Sequence, residues 1–129
     1  MKIGRHYTEA GKSPYDGIAF RVATSEIRNP NGSTVFHLDG IQVPESWSQV
    51  ACDVIAQKYF RKRGVPSAME AVEEPEVPTW LWRTVPAHGA DTSGGETDAR
   101  QVFDRMAGTW TYWGWKGGYF DSEQDARAY

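Results

Sequence analysis

Apolar residues near the start of the chain alternate with polar ones. They take every second position from Ile18 to Val22, and a second apolar stretch runs from Thr34 to Leu38. A period of two is typical of half-buried β-strands. Residues 29–32, Asn-Pro-Asn-Gly, favour a turn because proline presets its φ and Asn-Gly tolerates positive φ. The pattern predicts a β-hairpin from Ala19 to Leu38 and a second turn at residues 39–40.

Two later segments repeat apolar residues with the period of an α-helix. The first has Ser46 and Gln49 in a capping-box pattern and ends before Gly64. Its apolar positions are Trp47, Val50, Ala51, Val54, Ile55 and Tyr59. The second is capped by Thr97 and ends in the glycines of residues 114–118. Its apolar positions are Ala99, Val102, Phe103, Met106, Ala107, Trp110 and Trp113. Both segments therefore predict amphipathic helices.

A third helix starts close to the last residue. Ser122 followed by Asp125 is an N-cap pattern, but too few residues follow to make a stable helix without packing. We therefore expect the chain to be the front part of a longer protein. The expected organisation is an extended arm over residues 1–17 and one domain over residues 18–129, with residues 67–95 as a loop or linker. The predicted fold class is α+β, mainly helical.

Composition narrows the class of protein. The chain has 129 residues, of which 40% are hydrophobic, enough for one domain with a core. A mean hydropathy of -0.61 and the absence of a long apolar run predict no transmembrane helix, and the basic start lacks the apolar segment of a secretory signal. We therefore expect a cytoplasmic protein. The net charge of -3 argues against a protein that coats DNA.

Few residues suggest chemistry of their own. Cys52 allows no internal disulfide, and the three scattered histidines lack the spacing of zinc ligands. Cys52 fits a structural thiol better than a radical carrier or nucleophile, because no residue that would lower its pKa is recognisable. His37 with Asp39 forms either a catalytic dyad or, as we prefer, an ordinary hydrogen-bonded strand histidine. No nucleotide-loop, zinc-protease or serine-hydrolase motif is present.

Two tracts could bind a ligand. Residues 58–63, Lys-Tyr-Phe-Arg-Lys-Arg, could contact phosphates, although a solvated helix end explains their charges as well. Residues 109–120 hold six aromatic residues in twelve. Flat rings with a polar edge suit stacking on bases or sugars, but the apolar stripe favours packing or docking against another domain. The candidate docking or binding surface is Trp110, Tyr112, Trp113 and Trp115. We predict no catalytic, cofactor-binding or metal-binding residue.

The order of these strings resembles the N-terminal region of bacterial adenosylcobalamin-dependent (class II) ribonucleotide reductases. The similarity begins with residues 5–8 and 13–15 and continues with residues 20–27 and 43–49. It resumes over residues 57–66 and 95–120, so that it covers nearly the whole chain. The most specific strings are Lys-Tyr-Phe-Arg-Lys at residues 58–62 and Trp-Thr-Tyr-Trp-Gly at residues 110–114.

The resemblance implies a part in the radical reduction of ribonucleotides to deoxyribonucleotides for DNA synthesis. In that family the reactive cysteines, the cobalamin surface and the nucleotide site belong to a ten-stranded α/β barrel, which this chain lacks. Cys52 matches none of those cysteines. The chain alone is therefore expected to bind no cofactor, whereas the full-length enzyme uses adenosylcobalamin.

Two functions remain open. In the first, the chain is a non-catalytic domain that buttresses the catalytic barrel, which is its partner in cis or as a separate chain, and the full enzyme takes a ribonucleotide substrate. In the second, the chain is an independent module whose aromatic residues bind a nucleotide, nucleic acid or sugar. A scaffold without any link to an enzyme is a third, weaker possibility. Neither a membrane nor a nucleic acid is an expected partner of the enzyme domain.

Overall fold

The computed structural model describes residues 1–129. Its elements, in chain order, are β1 (Phe20–Arg28), β2 (Thr34–Pro44), α1 (Gln49–Val54), a π-helical turn (Ile55–Tyr59), β3 (Met69–Ala71), a 3-10 turn (Thr79–Leu81), β4 (Thr84–Pro86), α2 (Ala99–Lys116) and α3 (Glu123–Ala128). The strands form two separate antiparallel pairs, β1 with β2 and β3 with β4.

The chain divides into two compact units. The first, which we call the hairpin unit, comprises residues 17–65 and 92–103. The second, the aromatic unit, comprises residues 1–16, 66–91 and 104–129. The first residues of α2 thus belong to the hairpin unit, and the rest of that helix belongs to the aromatic unit.

The hairpin is longer than the sequence pattern predicts. Asn29 and Ser33 close its turn, and β2 continues past Leu38 to Pro44. The predicted second turn at residues 39–40 is wrong. Ala23 pairs with Ile41 but Ser25 pairs with Leu38, so β2 carries one extra residue there. Gly40, with φ of 66°, supplies the positive dihedral angle that this bulge needs.

The first predicted helix is too long and starts too early. Its N-cap is Ser48, whose hydroxyl accepts the backbone N–H of Ala51, and α1 ends at Val54. A π-helical turn follows and stops at Phe60, because the next amide, that of Arg61, donates to the Glu96 carboxylate at 2.9 Å. The Glu96 carboxylate thus takes the place of the backbone carbonyl that would accept this amide if the helix continued. The buried side chains of α1 and the π-helical turn are Cys52, Ile55 and Ala56, whereas Val50, Val54 and Tyr59 are exposed.

The N-terminus of α2 is capped by Asp98, not by the predicted Thr97. The Asp98 carboxylate accepts the backbone N–H of Arg100 at 2.9 Å. The side-chain oxygen of Gln101 accepts the N–H groups of Thr97 and Asp98. The helix passes through Gly114 and ends at Lys116.

The aromatic unit contains less regular structure. The β3–β4 ribbon pairs Met69 with Pro86 and Ala71 with Thr84. The backbone N–H of Ile3 donates to Asp125 at 2.8 Å, which places the start of the chain beside α3. Ser122 caps α3 as the pattern predicts, by accepting the N–H of Asp125.

The expectation of a mainly helical fold is wrong. Helices account for 29% of the residues and strands for 22%. Three differences explain the error. The first helix is shorter than predicted because the Arg61 amide bonds to Glu96. Residues 39–40, which were predicted as a turn, are part of strand β2. A two-stranded ribbon, β3 with β4, forms within residues 67–95. No barrel is present in this chain.

Candidate functional site

Two tryptophans on α2 present their rings to solvent. Trp110 is 48% exposed and Trp113 is 63% exposed. They lie three positions apart, so they occupy the same face of the helix. Large apolar side chains grouped on an exposed face are typical of an interaction surface. We call this pair the tryptophan face.

The other two aromatic residues of the predicted surface, Tyr112 and Trp115, contact the acidic segment of residues 73–78. The Tyr112 hydroxyl donates to the Glu74 carboxylate and lies 2.8 Å from each of its oxygens. The Trp115 indole N–H donates to the carbonyl of Glu76 at 2.8 Å. The four predicted residues therefore do not form one surface.

A third aromatic residue holds the same acidic segment. The indole N–H of Trp82 is shared between the carbonyls of Glu74 and Val77, at 3.0 and 2.8 Å. The hydrogen bond to Glu74, together with burial, raises the pKa of the Tyr112 hydroxyl. Arg83 and Lys116 each place a nitrogen 3.6 Å from the Glu74 carboxylate. Residues 73–78 are thus fixed by side chains and are not a free loop.

A groove in the aromatic unit lies beside α2, and the sequence patterns did not predict it. It consists of two adjoining cavities of about 460 and 670 Å³ that share Trp80, Leu81, Asp104 and Gly108. The first cavity is also lined by Trp82, Arg83, Thr84, Arg105, Thr109 and Tyr112. The second extends to the N-terminal arm and α3, where Arg5, Lys12 and Arg127 line it. We call it the Gly108 groove.

One sequence signal could have indicated this groove. Residues 79–83, Thr-Trp-Leu-Trp-Arg, combine two indoles and a guanidinium within five positions. In the structure Trp80 donates its indole N–H to Glu123 at 2.7 Å, and the Arg127 guanidinium lies 4.4 Å from the centre of its ring. The string has neither a helical nor a strand period, so the sequence alone indicates only a compact aromatic anchor.

The basic tract of residues 58–63 has two structural cations. Arg61 donates its side-chain Nε–H to Glu96 at 2.9 Å, and Glu96 is only 2% exposed. Lys62 donates to the carbonyl of Ala56 and lies over the ring of Phe36. Burial lowers the pKa of the Lys62 ammonium. These contacts explain both charges without a phosphate ligand.

Cys52 and His37 occupy ordinary structural positions. Cys52 is fully buried, and Arg21 donates to its sulfur at 3.2 Å. His37 lies on the exposed face of the hairpin, where its Nε2 is 2.7 Å from Asp39. The hydrogen bond to Asp39 raises the pKa of His37, and the same hydrogen bond lowers the pKa of Asp39. The other oxygen of Asp39 accepts the Thr24 hydroxyl at 2.8 Å.

No three His, Cys, Asp or Glu side chains form a group that could hold a metal ion. None of the three histidines lines the Gly108 groove. None of the helices combines the length and the hydropathy that crossing a membrane requires.

Comparisons with known proteins point to one family. A family model described as class II vitamin B12-dependent ribonucleotide reductase matches residues 21–129. Proteins named vitamin B12-dependent ribonucleotide reductase from Bradyrhizobium diazoefficiens and Agrobacterium fabrum are each 57% identical over 136 aligned positions. A protein of the same name from Rhodopirellula baltica is 27% identical over 119. The matches cover 92–100% of this chain but only 9–11% of each relative's length.

Proposed function

Because the chain belongs to the class II vitamin B12-dependent ribonucleotide reductase family, we propose that it is a domain that docks against the catalytic part of such an enzyme. The catalytic part, a barrel in the same polypeptide or a separate chain, would reduce ribonucleotides to deoxyribonucleotides. The relatives are about nine times as long as this chain, which leaves ample polypeptide to carry that chemistry.

The exposure of the tryptophan face is the observation that supports this proposal most directly. Trp110 and Trp113 keep about half or more of their surface in water although neighbouring aromatic residues of α2 are held by protein contacts. Burial of apolar surface is favourable, and tryptophan is among the residues that most often dominate docking energies. A docked catalytic part would remove both rings from water.

Tyr112 and Trp115 take a different role in this proposal. Their polar edges are already bound to Glu74 and Glu76, so they fix the acidic segment inside the domain. The docking surface is therefore narrower than the aromatic composition of residues 109–120 suggests.

The cofactor and the substrate belong to the catalytic part in this proposal. In this proposal no residue of this chain holds the cofactor.

The test uses two polypeptides, the 129-residue chain and the remainder of the enzyme. Ribonucleotide reduction with adenosylcobalamin and a dithiol is expected only from the mixture. Trp113→Ala should weaken association by roughly ten- to a hundredfold, because a central tryptophan at an interface is typically worth about 1–3 kcal/mol.

Tyr7→Ala is the matched control. Tyr7 is an aromatic residue that is 92% exposed, and the edge of one ring meets the face of the other where it contacts His6. This variant should leave the dissociation constant unchanged. An unchanged dissociation constant for Trp113→Ala, with helicity preserved in circular dichroism, would refute docking through the tryptophan face.

A further inference from the structure

We propose that the solvent-facing side of α1 and of the π-helical turn is a second surface that docks on the catalytic part of the enzyme. Its members are Val50, Val54 and Lys58, and we call it the α1 face. The inference rests on the proposed function, because it takes the same catalytic part as the partner. All three residues belong to the hairpin unit, so they can be tested apart from the tryptophan face.

Two valines of α1 remain in water. Val50 is 71% exposed and Val54 is 47% exposed. They are four positions apart, and the exposed Lys58 follows four positions later, so the three residues lie on one side of the helical segment. The fully buried Cys52 and Ala56 lie on the opposite side. The segment is therefore apolar on two sides, and its own unit covers only one of them.

Valine is a poor residue for a helix face that stays in water. Its branched Cβ restricts the side chain in a helix, and unbranched polar residues form helices more readily. The exposed positions of α3 are accordingly polar, with Glu123, Gln124 and Arg127. A helix with apolar residues on more than one side is typical of burial on more than one side. Docking of the α1 face would provide that burial.

An equally exposed valine elsewhere in the unit has a local explanation. Val22 is also 71% exposed, but it belongs to β1, where β-branched residues are favoured. Ala23 and Ser25 of the same strand are buried, and Ser25 donates to Asp53 of α1 at 2.6 Å. Because side chains alternate along a strand, Val22 lies on the face of the hairpin turned away from α1. Val22 and Val50 are thus a matched pair of probes.

Lys58 indicates the chemistry of the partner. Of the four cations in residues 58–63, Arg61 and Lys62 are held by contacts within the unit. Lys58 is exposed and forms no ion pair within the chain. Charges at the rim of an interface are typically opposite in sign on the two partners. We therefore expect the partner to be apolar opposite the two valines and to carry a carboxylate opposite Lys58.

Length and charge favour the catalytic part as the occupant. The chain spans about 11% of the length of its relatives from Bradyrhizobium diazoefficiens and Agrobacterium fabrum, so most of the polypeptide that could cover the α1 face lies outside it. A second copy of the chain is less suitable, because in a twofold contact the face would meet itself. It has no carboxylate to pair with Lys58, and Asp53 already accepts hydrogen bonds from Ser25 and Gln49.

The test measures the dissociation constant between the 129-residue chain and the remainder of the enzyme by calorimetry. Val50→Glu should weaken association roughly tenfold or more, because it places an unpaired charge against an apolar surface. The same substitution should maintain or raise the melting temperature of the chain alone, because glutamate favours the first turn of a helix. A lower melting temperature would make Val50 part of the fold of its own unit and would contradict a docking face. Val54→Gln is the second probe and should also weaken association.

Two exposed residues of β1 supply matched controls. Val22→Glu makes the same change at the same exposure and should leave the dissociation constant unchanged. Lys58→Gln should weaken association several-fold and reduce its dependence on salt, whereas Arg28→Gln should change neither. Equal losses for Val50→Glu and Val22→Glu, or no loss for either, would overturn the proposal.

The variant Trp113→Ala distinguishes failure of this inference from failure of the proposed function. If Trp113→Ala weakens association and Val50→Glu does not, the α1 face is refuted while docking of the domain stands. If the parent chain does not associate with the remainder of the enzyme, both proposals fail. If Val50→Glu abolishes self-association of the chain in sedimentation and leaves association with the remainder unchanged, a second copy is the occupant and the proposal is overturned.

Discussion

The two units of the chain are stabilised in different ways. The hairpin unit contributes nine of the buried apolar residues, among them the fully buried Ile41, Val43 and Ala56. The aromatic unit contributes three, Val77, Leu81 and Ala126. Three of its large aromatic side chains instead donate hydrogen bonds to the acidic segment; they are Trp82, Tyr112 and Trp115. Aromatic content is therefore a poor guide to where a core lies.

Each unit has a glutamate at the centre of its polar contacts, and the two differ in burial. Glu96 of the hairpin unit is 2% exposed and accepts both the backbone N–H and the side-chain Nε–H of Arg61. Glu74 of the aromatic unit keeps 19% of its side chain exposed. A buried carboxylate depends more on its partners, because water cannot replace them.

Removal of the Glu96 carboxylate should have the largest effect on stability. Glu96→Ala leaves the Arg61 amide without its acceptor and a cavity in its place, so we expect a loss of about 2–3 kcal/mol in the free energy of unfolding. Urea unfolding followed by circular dichroism measures it. Glu45→Ala, at an exposed glutamate, is the control. If both variants lose the same amount, Glu96 is not an anchor of the hairpin unit.

The corresponding change in the aromatic unit should be smaller. Tyr112→Phe removes the hydroxyl that donates to the Glu74 carboxylate, whose side chain is 19% exposed, and we expect a loss of about 1 kcal/mol. The same urea experiment measures it, with Tyr7→Phe as the control. A loss larger than that of Glu96→Ala would reverse the comparison between the two units.

The smallest effect concerns the exposed face of the hairpin. NMR should find the pKa of His37 above its ordinary value of 6.5, because the Asp39 carboxylate accepts a hydrogen bond from the ring. This pairing is fully stabilising below 6.5 and is lost as the pH rises through the folded pKa. Asp39, whose pKa is lowered, adds stability above 3.8 that is lost as the pH falls.

Asp39→Asn tests the cause of that shift. It removes the charge and should return the pKa of His37 toward 6.5. If the pKa of His37 remains raised in this variant, Glu26, whose carboxylate lies 3.4 Å from Nδ1, is the main cause instead.

Local patterns predicted the local features. The turn at residues 29–32 and the Ser122 cap of α3 depend on neighbouring residues, and both are present. The end of the first helix depends on Glu96, which lies 35 positions after Arg61. The helical spacing of apolar residues therefore cannot show where this helix ends. The exposure of Trp113 could not be predicted from the sequence either, because the apolar pattern of a helix is the same whether or not another part of the protein covers it.

The candidate site was predictable only in part. The sequence singled out residues 109–120 and named four aromatic residues as a candidate surface, but it could not separate Trp110 and Trp113 from Tyr112 and Trp115. That separation depends on the acidic segment lying beside α2. The Gly108 groove depends in the same way on segments far apart in the chain.

The bulge in β2 determines which residues of the strand face the core. Before it the less exposed apolar positions are even, Phe36 and Leu38, and after it they are odd, Ile41 and Val43. Without the bulge, strict alternation continued from Phe36 and Leu38 over the same residues would direct Ile41 and Val43 to the opposite face. Relatives of this domain can therefore vary in length at the hairpin turn, whereas a relative that lacks one residue near Gly40 should pair its two strands there without a bulge.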